Sequence, residues 1–127
     1  MVIKYNTNAG LRRIYDQYND KYFDGSLPVS DIIVSYWNPK DKYRGQTVRS
    51  FAAFTDIDPN GPIVLVVNTT LRDNGMEKYV RMSMLHEMCH IHLWVLGEPR
   101  RVYSAHGNKF NSEMERLAKE HAFRGLW

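Results

Sequence analysis

Apolar residues recur every three or four positions along residues 8–23, with polar residues between them. This spacing predicts an amphipathic helix whose apolar face packs on the core. Thr7 or Asn8 is suited to cap its N-terminus, because short polar side chains accept hydrogen bonds from free backbone N–H groups. Gly25 and Pro28 predict its end, since glycine adopts the left-handed conformation that follows many helices and proline cannot continue one.

β-forming residues dominate the next part of the chain. Residues 31–37 and 50–55 are predicted strands, and residues 63–67 form a continuous aliphatic run. Such a run is typical of a central strand that is covered on both faces. The intervening residues 38–45 and 56–62 are rich in polar and turn-forming side chains. We therefore expect a small sheet of about three strands, mostly antiparallel.

A long apolar stretch follows the predicted strands. Residues 79–96 are apolar almost throughout, which predicts a helix that is buried on most of its sides. Asn74 is the expected N-terminal cap, with Glu77 three residues later in the spacing of a capping box. Gly97 and Pro99 predict the end of this helix.

A last helix, beginning near residues 104–106, completes an α+β order of one helix, about three strands and two helices. The 127 residues are 43% hydrophobic and 24% charged, which predicts a single domain over residues 1–127. No signal peptide or run of ~18 apolar residues is present, so no membrane partner is expected. The single Cys89 excludes an internal disulfide and a Cys-rich zinc ribbon on this chain. We expect a cytoplasmic monomer.

The net charge of +3 is mild, but basic residues concentrate in the segment that follows the first predicted strand. Such clusters contact nucleic-acid phosphates in some proteins, whereas most charge runs mark a solvated loop. Both interpretations stay open for the four basic residues of this segment, which are Lys40, Lys42, Arg44 and Arg49.

The candidate chemistry lies inside the long apolar helix, where His86-Glu87-Met88-Cys89-His90 forms an H-E-x-x-H motif. Helix positions four apart share one face, with Cβ atoms roughly 5–6 Å apart. Both imidazoles can therefore reach one ion, since Zn–N bonds are only about 2.0–2.1 Å long. Glu87 is offset from the pair, which suits a general base better than a ligand. The motif predicts a zinc hydrolase, with a peptidase as the leading hypothesis, and Cys89 is expected to pack in the core.

A catalytic zinc site usually has three protein ligands and one open position. His92 lies about 200° around the helix from His90, so it is not expected to share the metal. His106 follows a loop that lets the chain reverse, and it is the best candidate for the third ligand. Glu98 and Glu113 are the carboxylate alternatives.

The paired motifs resemble a known family. His86-Glu87-Met88-Cys89-His90 followed by His106-Gly107-Asn108-Lys109-Phe110 is similar to the H-E-M-x-H and H-G-x-x-F pattern of the SprT-like metallopeptidase domain (the Spartan/SprT family). Trp37 resembles the tryptophan of the family's first strand, and residues 63–71 resemble the strand before the motif helix. Other matching positions end the first helix, namely Asn19, Tyr22, Phe23, Gly25 and Leu27. The resemblance covers roughly residues 11–120.

The resemblance implies a zincin-fold metalloprotease in which His86, His90 and His106 hold one Zn²⁺ and Glu87 is the base. It also implies a protein or peptide substrate, and some family members cleave proteins that are crosslinked to DNA. DNA–protein crosslink repair, with DNA bound through the basic segment, is therefore an expectation. The alternative is a nucleic-acid-associated zinc-binding module with little or no proteolytic activity. Candidates for contacts with the developing oxyanion or the substrate are Tyr103, His92 and Arg101.

Overall fold

The computed structural model describes residues 6–38, 42–43, 46–47 and 52–126 of the chain. These residues form an α+β arrangement, as predicted. In chain order the elements are α1 (Ala9–Tyr22), β1 (Ile32–Trp37), β2 (Lys42–Tyr43), β3 (Gln46–Thr47), β4 (Ala53–Asp56), β5 (Ile63–Asn68), α2 (Thr69–Asp73), α3 (Glu77–Val95), α4 (Arg100–Tyr103) and α5 (Asn108–Lys119). Within these ranges no helix is both long enough and apolar enough to cross a membrane.

The first helix confirms the amphipathic pattern of the N-terminal segment. Asn8 is its N-cap, because the Asn8 side chain accepts a hydrogen bond of 3.1 Å from the backbone N–H of Leu11. The buried face of α1 carries Leu11, Tyr15, Asn19 and Tyr22. α1 contacts both β1 and α3, so it packs on the same core as the motif helix.

Asn19 is a buried polar residue that fixes the chain after α1. Its side-chain amide donates to the carbonyl of Leu27 at 3.2 Å and accepts from the N–H of Leu27 at 3.0 Å. We expect Asn19→Ala to lower the free energy of unfolding by about 2–3 kcal/mol, because it leaves both backbone groups of buried Leu27 without that partner. Urea unfolding measures this loss, and Asn111→Ala on the exposed face of α5 is the control. An equal free energy of unfolding in the two variants would contradict this role.

Among the described residues, the main sheet has three strands in the order β1-β5-β4. β5 is central and all six of its residues are buried, as its aliphatic run predicts. β4 pairs with β5 antiparallel, with Ala53 opposite Val67 and Asp56 opposite Val64. β4 therefore forms one edge of this sheet.

The main sheet is mixed: β4 pairs with β5 antiparallel, as expected, whereas β1 pairs with β5 in parallel, from Ile32 opposite Ile63 to Trp37 opposite Asn68. Residues 57–62 reverse the direction of the chain between β4 and β5. As a result, β5 runs in the same direction as β1. The hydrophobic pattern identifies the strands, but strand direction depends on the path of the connections. β2 and β3 form a short antiparallel pair, of which β2 lies within residues 38–45, the segment predicted as a polar loop, and β3 lies just after it.

α3 carries the H-E-x-x-H motif and lies in the middle of the described fold, in contact with β4, β5, α1, α2, α4 and α5. The apolar prediction holds for its central turns, which are buried. Its ends are more exposed than predicted, since Tyr79, Trp94 and Leu96 are all exposed to solvent. The buried centre holds the motif between the sheet and α5.

The predicted cap of α3 is wrong. Asn74 terminates the short helix α2, and the N-cap position of α3 is Met76, whose side chain forms no capping hydrogen bond. α2 is instead capped by Asn68, whose side chain accepts from the N–H of Thr70 at 2.9 Å. The prediction fails because a short helix, α2, lies between β5 and α3, so that Asn74 ends α2 and α3 begins only at Glu77.

Candidate metal centre

Two imidazoles lie one helical turn apart on α3. The ring centroids of His86 and His90 are 5.2 Å apart. His90 is buried and His86 is partly buried. This arrangement follows directly from the i, i+4 spacing on a helix.

His106 joins this pair from the segment between α4 and α5. Its Nε2 lies 3.1 Å from Nε2 of His86 and 3.2 Å from Nε2 of His90. The three ligand atoms all lie within 4.8 Å of one another. Two atoms bonded at about 2.05 Å to a tetrahedral ion are about 3.3 Å apart, so this spacing suits a metal ion. The structure thus brings the three predicted ligands together into a candidate metal site.

The backbone orients one of these rings. Nδ1 of His90 lies 2.6 Å from the carbonyl oxygen of Tyr103. A carbonyl only accepts hydrogen bonds, so Nδ1 carries the proton and the neutral ring presents the lone pair of Nε2 to the other histidines. Metal-binding histidines are commonly held in this way.

The surroundings favour neutral imidazoles. Burial, together with the neighbouring His90 and His106, lowers the pKa of His86 to about 4. Burial also lowers the pKa of His90, against the opposing effect of its bond to the Tyr103 carbonyl. Neutral imidazole is the form that binds metals, and a cation would satisfy the converging nitrogen lone pairs.

Phe110 on α5 supports all three rings. Its ring stacks on His90 with centroids 4.6 Å apart, and its centroid is 4.8 Å from those of His86 and His106. Phe110 is itself buried. The sequence signal for this residue is its place four positions after His106 on the apolar face of the last helix. The packing restricts ring rotation and therefore helps to hold the three nitrogens in place.

Glu87 lies beside this group, and its side chain is largely buried. Its Oε2 is 3.7 Å from Nε2 of His86, and its Oε1 accepts a hydrogen bond of 2.8 Å from the hydroxyl of Thr55. Burial raises the pKa of Glu87, against the opposing effect of the bond from Thr55, and the resulting pKa is about 7. A carboxyl with a pKa near neutrality is suited to accept and release a proton.

A cavity of about 270 Å³ opens over these groups. Strand β4 and Ile57, the residue that follows it, line part of this cavity. Helix α4 and the residue after it line another part. The lining residues are Ala53, Phe54, Thr55, Asp56, Ile57, His86, Glu87, His90, Arg100, Tyr103, Ser104 and His106. Substrate groups that enter this space would meet both Glu87 and the three histidines.

The three candidates for oxyanion or substrate contacts are placed differently. Tyr103 lines the cavity. His92 lies elsewhere, with its ring edge-on to Phe23 at 5.3 Å and its Nδ1 2.9 Å from Oε1 of Glu113. Among the described residues, Arg100 lines the cavity and Arg101 does not. The sequence could not distinguish these neighbours, because the short helix α4 that orients them falls in a segment predicted as a loop.

The two carboxylate alternatives to His106 have other partners. Glu98 forms an ion pair with Nζ of Lys109. Glu113 lies 2.9 Å from His92 and 2.8 Å from Arg116. Neither belongs to the group of possible metal ligands, which favours His106 as the third ligand.

Two further predictions concern residues outside this group. Cys89 is buried, with its Sγ 3.7 Å from Sδ of Met114, and burial raises the pKa of its thiol, as expected for a packing residue. For the basic segment, the sequence leaves both a nucleic-acid contact and a solvated loop open. Lys40, Arg44 and Arg49 lie outside the described residues, and Lys42 is described only as part of the backbone of β2.

These contacts define a small α+β protein with a candidate three-histidine metal centre on an H-E-x-x-H helix. The sequence matches the model of the SprT-like family over residues 11–125. Because this match covers most of the chain, the chain belongs to the SprT-like family. Among individually curated proteins, none matches the chain at a significant level.

Proposed function

We propose that this chain is a zinc-dependent peptidase. The observation that carries the proposal is the spacing of three Nε2 atoms, at 3.1 and 3.2 Å from His106 to its two neighbours, beside the carboxylate of Glu87. Three imidazole ligands with an open fourth position are typical of catalytic zinc. The bond from His90 to the Tyr103 carbonyl supports the same assignment, because it fixes the tautomer in which Nε2 could bind an ion.

The residues around the site divide the reaction between them. Zinc, when bound, supplies Lewis acidity, which makes water a better nucleophile at neutral pH and polarises a carbonyl group. Glu87 accepts the proton of the attacking water at Oε2, the oxygen that faces His86. The same carboxyl then delivers that proton to the leaving amine. His86, His90 and His106 hold the ion and do not exchange protons in this scheme.

The substrate is proposed to lie extended along β4. This strand forms an edge of the main sheet, and an extended peptide can add to such an edge through backbone hydrogen bonds. Residues of β4 line the same cavity as Glu87. A peptide on this edge would therefore bring one of its carbonyl groups close to the base.

Cleavage of an unfolded protein tests the proposal. The zinc-loaded chain should cut casein at peptide bonds, giving new N-termini that mass spectrometry identifies, and a chelator should abolish the cuts. A zinc-loaded chain that yields no new N-termini from casein or a peptide library would contradict the proposal. It would favour the alternative, a zinc-binding module without proteolytic activity.

Proteins associated with DNA are the narrower substrate class that the family resemblance suggests. The support is the resemblance together with the basic residues Lys40, Lys42, Arg44 and Arg49 in the sequence. A DNA affinity that falls steeply with salt, together with faster cleavage of a DNA-bound protein, would support this class. A salt slope near zero would indicate few phosphate contacts.

Arg100 is expected to bind the substrate, because it lines the cavity and its guanidinium donates hydrogen bonds to carbonyl or carboxylate oxygens. Removing one charge-assisted hydrogen bond costs about 1.5–3 kcal/mol, so Arg100→Gln should lower kcat/KM at least about tenfold. Arg101→Gln is the matched control, since it removes the same charge next to the cavity and should change kcat/KM less than about twofold. Equal decreases in kcat/KM for both variants in steady-state assays would contradict a specific contact of Arg100 with the substrate. They would show that only the total charge of α4 affects the reaction.

A further inference from the structure

A threonine on the edge strand reaches across to the proposed base. The hydroxyl of Thr55 on β4 donates a hydrogen bond of 2.8 Å to Oε1 of Glu87 on α3. The two residues are 32 positions apart in sequence, so this bond connects two separate elements. It also joins two residues that line the same cavity.

The bond leaves the two carboxylate oxygens of Glu87 in different surroundings. Oε1 is engaged by Thr55, and Oε2 is 3.7 Å from Nε2 of His86. Because Thr55 occupies one oxygen, the other is the one that remains directed at the histidine group. Rotation of the carboxylate would break a charge-assisted hydrogen bond in a buried position.

The threonine is itself held firmly. It pairs with Leu65 in the buried central strand β5, which fixes its backbone. A β-branched side chain has few accessible χ1 rotamers, so the hydroxyl position follows from the backbone position. The donor is therefore preorganised by the sheet and not by a flexible loop.

We propose that Thr55 is a positioning residue for the general base. Its hydroxyl holds Oε1 of Glu87 and so directs Oε2 at the water that attacks the substrate. This inference rests on the proposed peptidase function. The competing explanation is that threonine stands at this position because it favours β-strands and packs well there, in which case its methyl group matters and its hydroxyl does not.

Isosteric substitutions separate these explanations. Thr55→Val keeps the shape and the β-branch but removes the hydroxyl, and we expect kcat to fall about tenfold while KM changes less than about twofold. Thr55→Ser keeps the hydroxyl and should retain kcat within about threefold of the parent. Both variants should bind one zinc per chain in metal analysis. Thr70→Val, on the exposed surface of α2, is the control and should leave kcat unchanged.

Thermal unfolding of the metal-free protein supplies a readout that does not depend on activity. We expect Thr55→Val to lower the unfolding midpoint of the parent. In a Glu87→Ala background, where the hydroxyl has lost its acceptor, the same substitution should lower the midpoint by about 3–5 °C less. Equal shifts in the two backgrounds would show that the hydroxyl contributes nothing through Glu87, and would overturn the inference.

The kinetic outcomes distinguish the two proposals. If the parent cleaves peptides and Thr55→Val matches it in kcat, the positioning role fails while the peptidase function stands. A Thr55→Ser variant as slow as Thr55→Val would also overturn the role, because it would assign the effect to the methyl group. If the zinc-loaded parent cleaves no peptide, the peptidase function fails, and the positioning role fails with it.

Discussion

Replacing Glu87 by glutamine is expected to lower the rate of peptide cleavage by a factor on the order of 100 or more, with zinc binding unchanged. Glutamine has the same shape as glutamate but cannot accept a proton at its amide, so the attacking water would lose its base. The three histidines should keep their positions, because Phe110 packs against all three rings and the Tyr103 carbonyl orients His90. Parallel measurements of kcat and of zinc per chain check both parts of the prediction.

Glu115→Gln is the matched control for this variant. Glu115 is an exposed residue of α5, and the same change there should leave both cleavage and zinc content unaltered. Equal cleavage by Glu87→Gln and the parent would exclude Glu87 as the base. Loss of zinc from Glu87→Gln would instead indicate that this carboxylate is a ligand of the ion.

Replacing His106 by alanine is expected to release the metal. The variant keeps only His86 and His90, and two imidazoles hold zinc far more weakly than three ligands in a preformed site. We expect zinc affinity to fall more than about 100-fold, with cleavage lost in proportion, since even residues that only orient ligands contribute 10–100-fold. Metal analysis after dialysis against a weak chelator measures this loss.

His121→Ala is the control for the loss of His106. His121 is exposed and lies after the end of α5, so its removal should leave the zinc content at the parental level. Circular dichroism of both variants checks that they remain folded. Full zinc retention by His106→Ala would contradict the proposed ligand set and direct attention to Glu98 or Glu113.

The fold could be predicted where local pattern decides it. The period of apolar residues identifies α1, the long apolar stretch identifies α3, and the aliphatic run identifies β5 as the central strand. The parallel pairing of β1 with β5 could not be read in the same way, because it depends on the path of the chain between distant segments. The N-cap of α3 could not be predicted either, because the short helix α2 has Asn74 at its C-terminus and α3 begins only at Glu77.

The same division applies to the site. His86, Glu87 and His90 are linked by spacing within one helix, so their common placement follows from sequence. His106 is distant from them in sequence, so its prediction as the third ligand depends on the loop before it and on the downstream motif. In the structure, its Nε2 lies close to Nε2 of His86 and of His90. The contact of Thr55 with Glu87 could not be predicted from the sequence, because the pattern of a strand does not indicate which helix residue accepts a hydrogen bond from its hydroxyl.

The most direct test of the central claim is a zinc titration of the metal-free chain in which bound zinc and casein cleavage are measured in the same samples. The account predicts that the cleavage rate rises in proportion to bound zinc and stops rising at about one zinc per chain, because one site holds both the metal and the reaction. Cleavage that is independent of bound zinc, or full zinc occupancy without cleavage, would contradict it.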